Sequence, residues 1–321
     1  MALLEVAPRR EDRVRFQEHD VQINGGNIHF LHAGDPLSPK VILLHGVMSS
    51  AALCYKEAID PISKAGFEVF APDLPGYGQS DAPTGHTTDH YISAVLEFMD
   101  EVGIERSHIA GLSFGGAVTM GTALRNPERV DSIALVNSWG FEEGLHIPVL
   151  DNNRVARFFT RLVKKEAVAS HIFNLSILPQ ALHGLRHLMG ERMEPALRSV
   201  GKRVVKRDDY FDERDAEMFK GDKSWETLWE WLKHEIGPDG PRTNFLPHLR
   251  ETLSFNHPTL IIQGGRDPLI SPHWGSKVHD AIAHSFHHVI EDSSHALPLE
   301  KPEEFAALVG NFFSERRTLA A

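Results

Sequence analysis

Apolar and polar positions along the 321 residues fall into two kinds of text. Short, mostly apolar runs recur at intervals: Val41-Ile42-Leu43-Leu44, Phe67-Glu68-Val69-Phe70-Ala71, His108-Ile109-Ala110, residues 130–137, Thr259-Leu260-Ile261-Ile262-Gln263 and His288-Val289-Ile290. Runs of this length suit strands buried on both faces, as in a parallel sheet. Between them lie segments of helical period, at about 51–65, 88–103, 114–125, 271–284 and 302–314. Alternating stretches within 21–33 flank Asn24-Gly25-Gly26-Asn27, a hairpin signal. Strand–helix alternation with tight glycine turns predicts a doubly wound α/β sheet.

The alternation stops between 139 and about 258. That stretch is helical in period and mixed in charge, clearest over 155–165, 195–205 and 224–236, and it holds no convincing buried strand. The expected organisation is an α/β core from 1–138 and 256–321, with 139–255 inserted as an all-helical cap. Residues 1 to about 16 are polar and read as a loose arm. No repeat, low-complexity tract or linker interrupts the chain.

Composition narrows the partners. Hydrophobic residues at 41% and charged residues at 24% are ordinary for a globular protein with a sizeable core. A net charge of −11, with no basic run, argues against nucleic acid. Cys54 is the one cysteine, so no intramolecular disulfide can form, which fits a reducing compartment. The apolar start at 1–7 is broken by Glu5 and followed by Arg9 and Arg10, the wrong arrangement for a signal peptide. No run approaches the length of a membrane span. The expectation is a cytoplasmic protein with a small-molecule partner and no membrane or nucleic acid. The sequon Asn174-Leu175-Ser176 is then a chance match, and homo-oligomerisation stays open.

The sharpest chemical signal is Gly111-Leu112-Ser113-Phe114-Gly115-Gly116, between a strand and a helix. A turn this tight excludes neighbouring side chains, so glycines flank the serine and its oxygen is presented at the tip. The helix beginning there aims backbone N–H groups at developing negative charge. A serine hydroxyl needs a base near neutral pH, usually histidine. Twenty histidines give no choice by type, but His295 lies in a loop after the last strand, at the sheet edge where ligands bind. His287 and His288 fall within a strand, and His279 and His284 on a solvated helix. Asp267, in Gly264-Gly265-Arg266-Asp267-Pro268 after the preceding strand, is placed to orient the imidazole. The backbone N–H groups of Val47 and Phe114 are the expected oxyanion donors. Gly46 allows close approach, and His45 either faces substrate or, the favoured alternative, braces the loop as a buried imidazole. Phe114, Trp139, Leu269 and Leu297 are further candidates for substrate contact.

Two other patterns are incomplete. His234-Glu235-Ile236-Gly237 lacks the second histidine of a zinc-protease helix, so no metal is expected. Gly76-Tyr77-Gly78 lacks the third glycine and the context of a dinucleotide site, so no cofactor is expected.

His45-Gly46, Asp73-Leu74-Pro75-Gly76-Tyr77-Gly78-Gln79-Ser80, the turn at Ser113, Gly265-Arg266-Asp267-Pro268 and His295 together resemble the α/β-hydrolase superfamily over about residues 20–315. The resemblance implies a mostly parallel eight-stranded sheet with a cap inserted after strand six, a triad of Ser113, Asp267 and His295, and a structural Asp73. Epoxide hydrolases and haloalkane dehalogenases of this fold place aspartate where this chain has Ser113. Carbon–carbon hydrolases often carry tryptophan directly after the histidine, where this chain has Ala296. The resemblance thus ranks carboxylesterase or lactonase first, ahead of carbon–carbon hydrolase, perhydrolase, acyltransferase and a non-turnover receptor on the same fold.

Overall fold

Each apolar run becomes a strand. In the computed structural model, residues 16–141, 222–237, 240–251 and 255–320 are described. The hairpin pairs β1 (Gln17–Ile23) with β2 (Gly26–Ala33), turning at Asn24-Gly25 as the sequence predicts. Then follow β3 (Lys40–Leu44), α1 (Ala51–Lys64), β4 (Glu68–Pro72), α2 (Thr88–Glu101), β5 (Ser107–Leu112), α3 (Phe114–Arg125) and β6 (Val130–Val136). After the inserted stretch come α4 (Asp222–Glu235), α5 (Leu246–Glu251), β7 (Thr259–Gly264), α6 (Pro272–Ala281), β8 (Ser285–Ile290), α7 (Leu297–Glu300) and α8 (Pro302–Ala320). The eight strands form one sheet in the order β1-β2-β4-β3-β5-β6-β7-β8. Only the β1–β2 and β2–β4 pairings are antiparallel; the rest are parallel.

Side chains alternate across β3, and that alternation divides the core in two. Ile42 and Leu44 join the cluster beneath α2 and α3, with Tyr91, Phe98, Phe114 and Val118. Val41 and Leu43 join the opposite cluster, with Ile59 of α1 and Phe305 and Phe313 of α8. Helix starts follow local chemistry: Ser50 caps α1 by accepting from Leu53 N–H at 3.1 Å, and Thr87 caps α2 by accepting from His90 N–H at 3.2 Å.

Differences from the sequence-based expectation are local. The short α7 lies in what reads as loop, and His284 sits exposed in the turn after α6 rather than on it. The expected helix at 224–236 is α4. A two-residue antiparallel ribbon, Ile236–Gly237 with Gly240–Pro241, interrupts the helical character expected of 139–255. The helices expected at 155–165 and 195–205, and the arm at 1 to about 16 apart from Phe16, lie outside the described residues. Among the described residues no helix is long and apolar enough to cross a membrane.

Candidate active site

The carboxyl ends of β3, β5, β6, β7 and the loop after β8 meet at one edge of the sheet. Ser113 occupies the turn between β5 and α3 at φ 54° and ψ −118°, a left-handed conformation costly for a residue with a side chain. Backbone bonds hold it there. Ser113 N–H donates to Val136 O at 2.9 Å, and Ser113 O accepts from Gly116 N–H and Trp139 N–H at 2.9 and 3.0 Å. Its hydroxyl makes no helix-capping bond.

The flanking glycines are obligatory on space alone. A Cβ on Gly111 would lie 2.2 Å from Gly115 O, and one on Gly115 would lie 2.2 Å from Leu44 O. One on Gly116 would lie 2.2 Å from Ser138 Oγ. Helix α3 can therefore start directly against the ends of β3 and β6. Gly46 closes the other side: a Cβ there would lie 3.2 Å from Ser113 Cβ. The Val47 loop is thus packed on the serine. Phe114 is the first residue of α3, so its N–H has no carbonyl partner one turn earlier in the helix. Among the described residues neither it nor Val47 N–H has an internal acceptor.

His295 and Asp267 are joined. The Nδ1 of His295 lies 2.8 Å from Oδ2 of Asp267, whose side chain is fully buried. The other oxygen, Oδ1, accepts from Leu269 and Ile270 N–H at 2.7 and 2.9 Å. With a carboxylate on Nδ1, the other ring nitrogen is left to act as a base. The two loops lie close because Gly264 has no side chain; a Cβ there would stand 2.3 Å from Ser294 O. Glu300 fixes the histidine loop from below, accepting from Ser294 N–H at 2.8 Å.

Sequence reasoning gives no role to the residue that ties these loops together. Asn137, fully buried at φ 42°, donates through Nδ2 to Ser294 O and His295 O, each at 2.9 Å. Its Oδ1 accepts from Gly264 N–H at 2.8 Å and Gln263 Nε2 at 2.9 Å. One amide therefore spans the ends of β6 and β7 and the histidine loop. The signal in the sequence is a polar residue closing an apolar run, at Asn137 and again at Gln263.

His45 takes the bracing role. Leu74 N–H donates to its Nε2 at 2.8 Å, which puts the proton on Nδ1, 2.7 Å from Gly46 O. Both ring nitrogens are used and the ring is fully buried, so it does not face substrate as one alternative expected. Burial holds its pKa below the ordinary 6.5, against the pull of Asp73, and the ring is neutral near neutral pH. Asp73 is structural: it accepts from Ala51 and Gln79 N–H at 2.7 and 2.8 Å.

Of the expected substrate contacts, Phe114 is itself buried, and Trp139 and Leu269 are half-buried against its cluster, as is Val47, the expected oxyanion donor. Leu297 is not among them. The turn α7 carries it to the opposite face, fully buried with Phe305. Helix α4 reaches the same site by a stripe of every fourth residue. Lys223 Nζ donates to Gly78 O at 3.1 Å and Ser80 O at 2.7 Å, and Thr227 Oγ1 to Gly76 O at 3.5 Å. The Trp231 ring lies 4.8 Å from that of Phe114, and Glu235 accepts from Trp139 Nε1 at 3.0 Å. Among the described residues there is no group of three or more metal-ligating side chains.

Comparison with known proteins follows the same lines. The sequence profile of the alpha/beta hydrolase fold family matches residues 39–302. Epoxide hydrolase A of Mycobacterium tuberculosis is 26% identical, covering 92% of this chain and 97% of its own. The 2-hydroxymuconate semialdehyde hydrolase of Pseudomonas sp. strain CF600 is 27% identical, covering 90% of each. The crystal structure of naproxen esterase from Bacillus subtilis superposes with a TM-score of 0.63 at 21% identity, covering 94% of this chain and 92% of that one.

Proposed function

The chain belongs to the α/β-hydrolase family, and within it we propose a serine hydrolase that cleaves an ester or lactone bond of a small, largely apolar substrate through an acyl-enzyme. The observation behind this reading is the pairing of His295 with buried Asp267 at the edge where Ser113 is held in a strained turn with its hydroxyl unspent on capping.

In the proposed reaction Ser113 Oγ attacks the substrate carbonyl and His295 takes its proton on Nε2. The oxyanion accepts from the N–H groups of Val47 and Phe114. Collapse breaks the bond to the leaving oxygen, which receives the proton from His295. Water, deprotonated by His295, then attacks the acyl carbonyl. The intermediate expels Ser113 Oγ, which recovers its proton, and the acid leaves. Asp267 stays ionised and stabilises the imidazolium throughout. The lid expected over residues 139–255 falls mostly outside the described residues.

Serine at the elbow disfavours epoxide hydrolysis, which on this fold uses aspartate there. Carbon–carbon hydrolysis is the second reading, supported by the full-length similarity to the semialdehyde hydrolase. Ala296 in place of the tryptophan frequent in that branch ranks it lower. The test is hydrolysis of p-nitrophenyl esters of rising acyl length beside Ser113→Ala. Steady wild-type turnover that falls about 10⁴-fold or more in the variant is expected. A loss below tenfold sinks the nucleophile assignment. Absence of turnover with esters and lactones, alongside cleavage of a dienone ring-fission product, establishes the second reading instead.

A further inference from the structure

Glu235 is a buried carboxylate that the proposed mechanism does not use. It ends α4, is 3% exposed, and has no ion-pair partner among the described residues. Four neutral donors hold it instead. Oε1 accepts from Trp139 Nε1 at 3.0 Å and Thr243 N–H at 3.1 Å. Oε2 accepts from Thr243 Oγ1 at 2.7 Å and Thr88 Oγ1 at 3.2 Å. A carboxyl group is costly to bury unless its polar atoms are hydrogen-bonded. An apolar residue would serve mere packing better.

What this carboxylate holds is Trp139. Its backbone N–H is bonded to Ser113 O at 3.0 Å, so the residue starts at the nucleophile turn. Its indole N–H is bonded to Glu235, and its ring meets that of Trp231 edge-on at 6.0 Å. Trp139 is half-buried. Two anchors at opposite ends, the backbone at the Ser113 turn and the indole nitrogen at Glu235, fix the orientation of the ring. Through Thr88 the same carboxylate ties this ring to α2, and through its own helix to the inserted segment.

We propose that Glu235 is a positioning residue that sets the orientation of Trp139, and that this ring bounds the acyl side of the site and selects substrate length. The inference rests on the serine-hydrolase reading above. Releasing the indole loosens the boundary, so discrimination between short and long acyl chains weakens while the nucleophile and base stay in place.

The experiment compares wild type with Glu235→Leu, Glu235→Gln and Trp139→Phe on p-nitrophenyl esters from acetate to decanoate, with fluorophosphonate labelling of Ser113 as an independent count of competent nucleophile. Glu235→Leu keeps the bulk and removes the acceptor. The ratio of kcat/KM for the preferred length to that for acetate should fall about tenfold, the size of one hydrogen bond to a charged group, and through KM more than kcat. Trp139→Phe should shift the same ratio, and the double variant should add little to either single change. Glu235→Gln should restore the wild-type profile: its Oε1 still accepts from Trp139 and Thr243, and its Nε2 finds two threonine hydroxyls able to accept. Should Glu235→Leu fold poorly, Trp139→Phe still reads the same contact. A labelled Glu235→Leu protein with an unshifted profile overturns the proposal, as does a Glu235→Gln profile that stays shifted. Wild type that neither labels nor turns over esters overturns the underlying serine reading instead.

Discussion

The sheet edge and the α4 seam flank the same serine but are held by different means. At the edge, backbone meets backbone: Gly111, Gly115 and Gly264 each bring two main chains so close that a methyl group would overlap a carbonyl oxygen. At the seam, contact is made by the tips of side chains, through separate hydrogen bonds at Lys223, Thr227 and Glu235. The first kind cannot adjust without moving a strand. The second can be made and broken singly, each bond contributing about 1 kcal/mol net. Rigidity is placed where the proposed chemistry is, and adjustability where substrates of different shape would have to fit.

Four substitutions test that contrast. Gly115→Ala at the edge should be the most damaging, because the new Cβ meets Leu44 O at 2.2 Å and His45 O at 2.6 Å. A loss of about 3 kcal/mol in urea unfolding is expected, and a loss below about 1 kcal/mol would show that α3 can slide. Asn137→Ala removes four buried hydrogen bonds, two of them to the carbonyls of Ser294 and His295; about 2 to 3 kcal/mol should be lost. Labelling of Ser113 should slow with it as His295 drifts, and unchanged labelling would break the link between the amide and the proposed base.

His45 gives a smaller effect of known sign. Its folded pKa is depressed from the ordinary 6.5, so between the two values the unfolded chain binds the extra proton. Stability is therefore complete above about pH 6.5 and falls as the pH drops below it, by at most about 1.4 kcal/mol per pH unit for one proton. His86, His90, His257 and His287 are shifted the same way by burial and add to the slope. Unfolding free energy measured from about pH 8 to 5 should therefore fall less steeply in His45→Gln, and an unchanged slope would remove His45 as a contributor. Least costly is Thr227→Val at the seam, where one bond at 3.5 Å is lost and the shape is kept. A change of about 0.5 kcal/mol is expected. A cost as large as that of Gly115→Ala would erase the distinction between the two regions.

The same contrast accounts for what the sequence discloses. The edge is written in residue types that few constraints besides a nucleophile turn would select together. Glycines flank a serine between an apolar run and a helix, an aspartate follows the buried strand β7, and a histidine follows the half-exposed edge strand β8. Backbone crowding leaves no alternative to glycine, so the constraint is visible in one sequence. The seam is written in lysine, threonine and glutamate at a spacing of four, which is also how a solvated helix face reads. Glu235 even sits inside an incomplete metal motif. Nothing local distinguishes a carboxylate that faces water from one that faces Trp139, because the difference lies in what a distant segment places above it. Leu297 fails for a related reason: proximity to His295 in sequence does not say to which side of the sheet a tight turn sends the next side chain.

Asn137 has a consequence for the order in which the protein is made. Its amide meets carbonyl oxygens 157 and 158 residues further along the chain. During synthesis, the elbow and the first six strands emerge long before the partners of that amide exist. Contacts so remote in sequence form late, after the loop between them has closed. A growing chain on the ribosome therefore displays Ser113 before His295, its proposed base, has been made. Under the proposed mechanism, Ser113 can meet its base only after the last strand, β8, has been made.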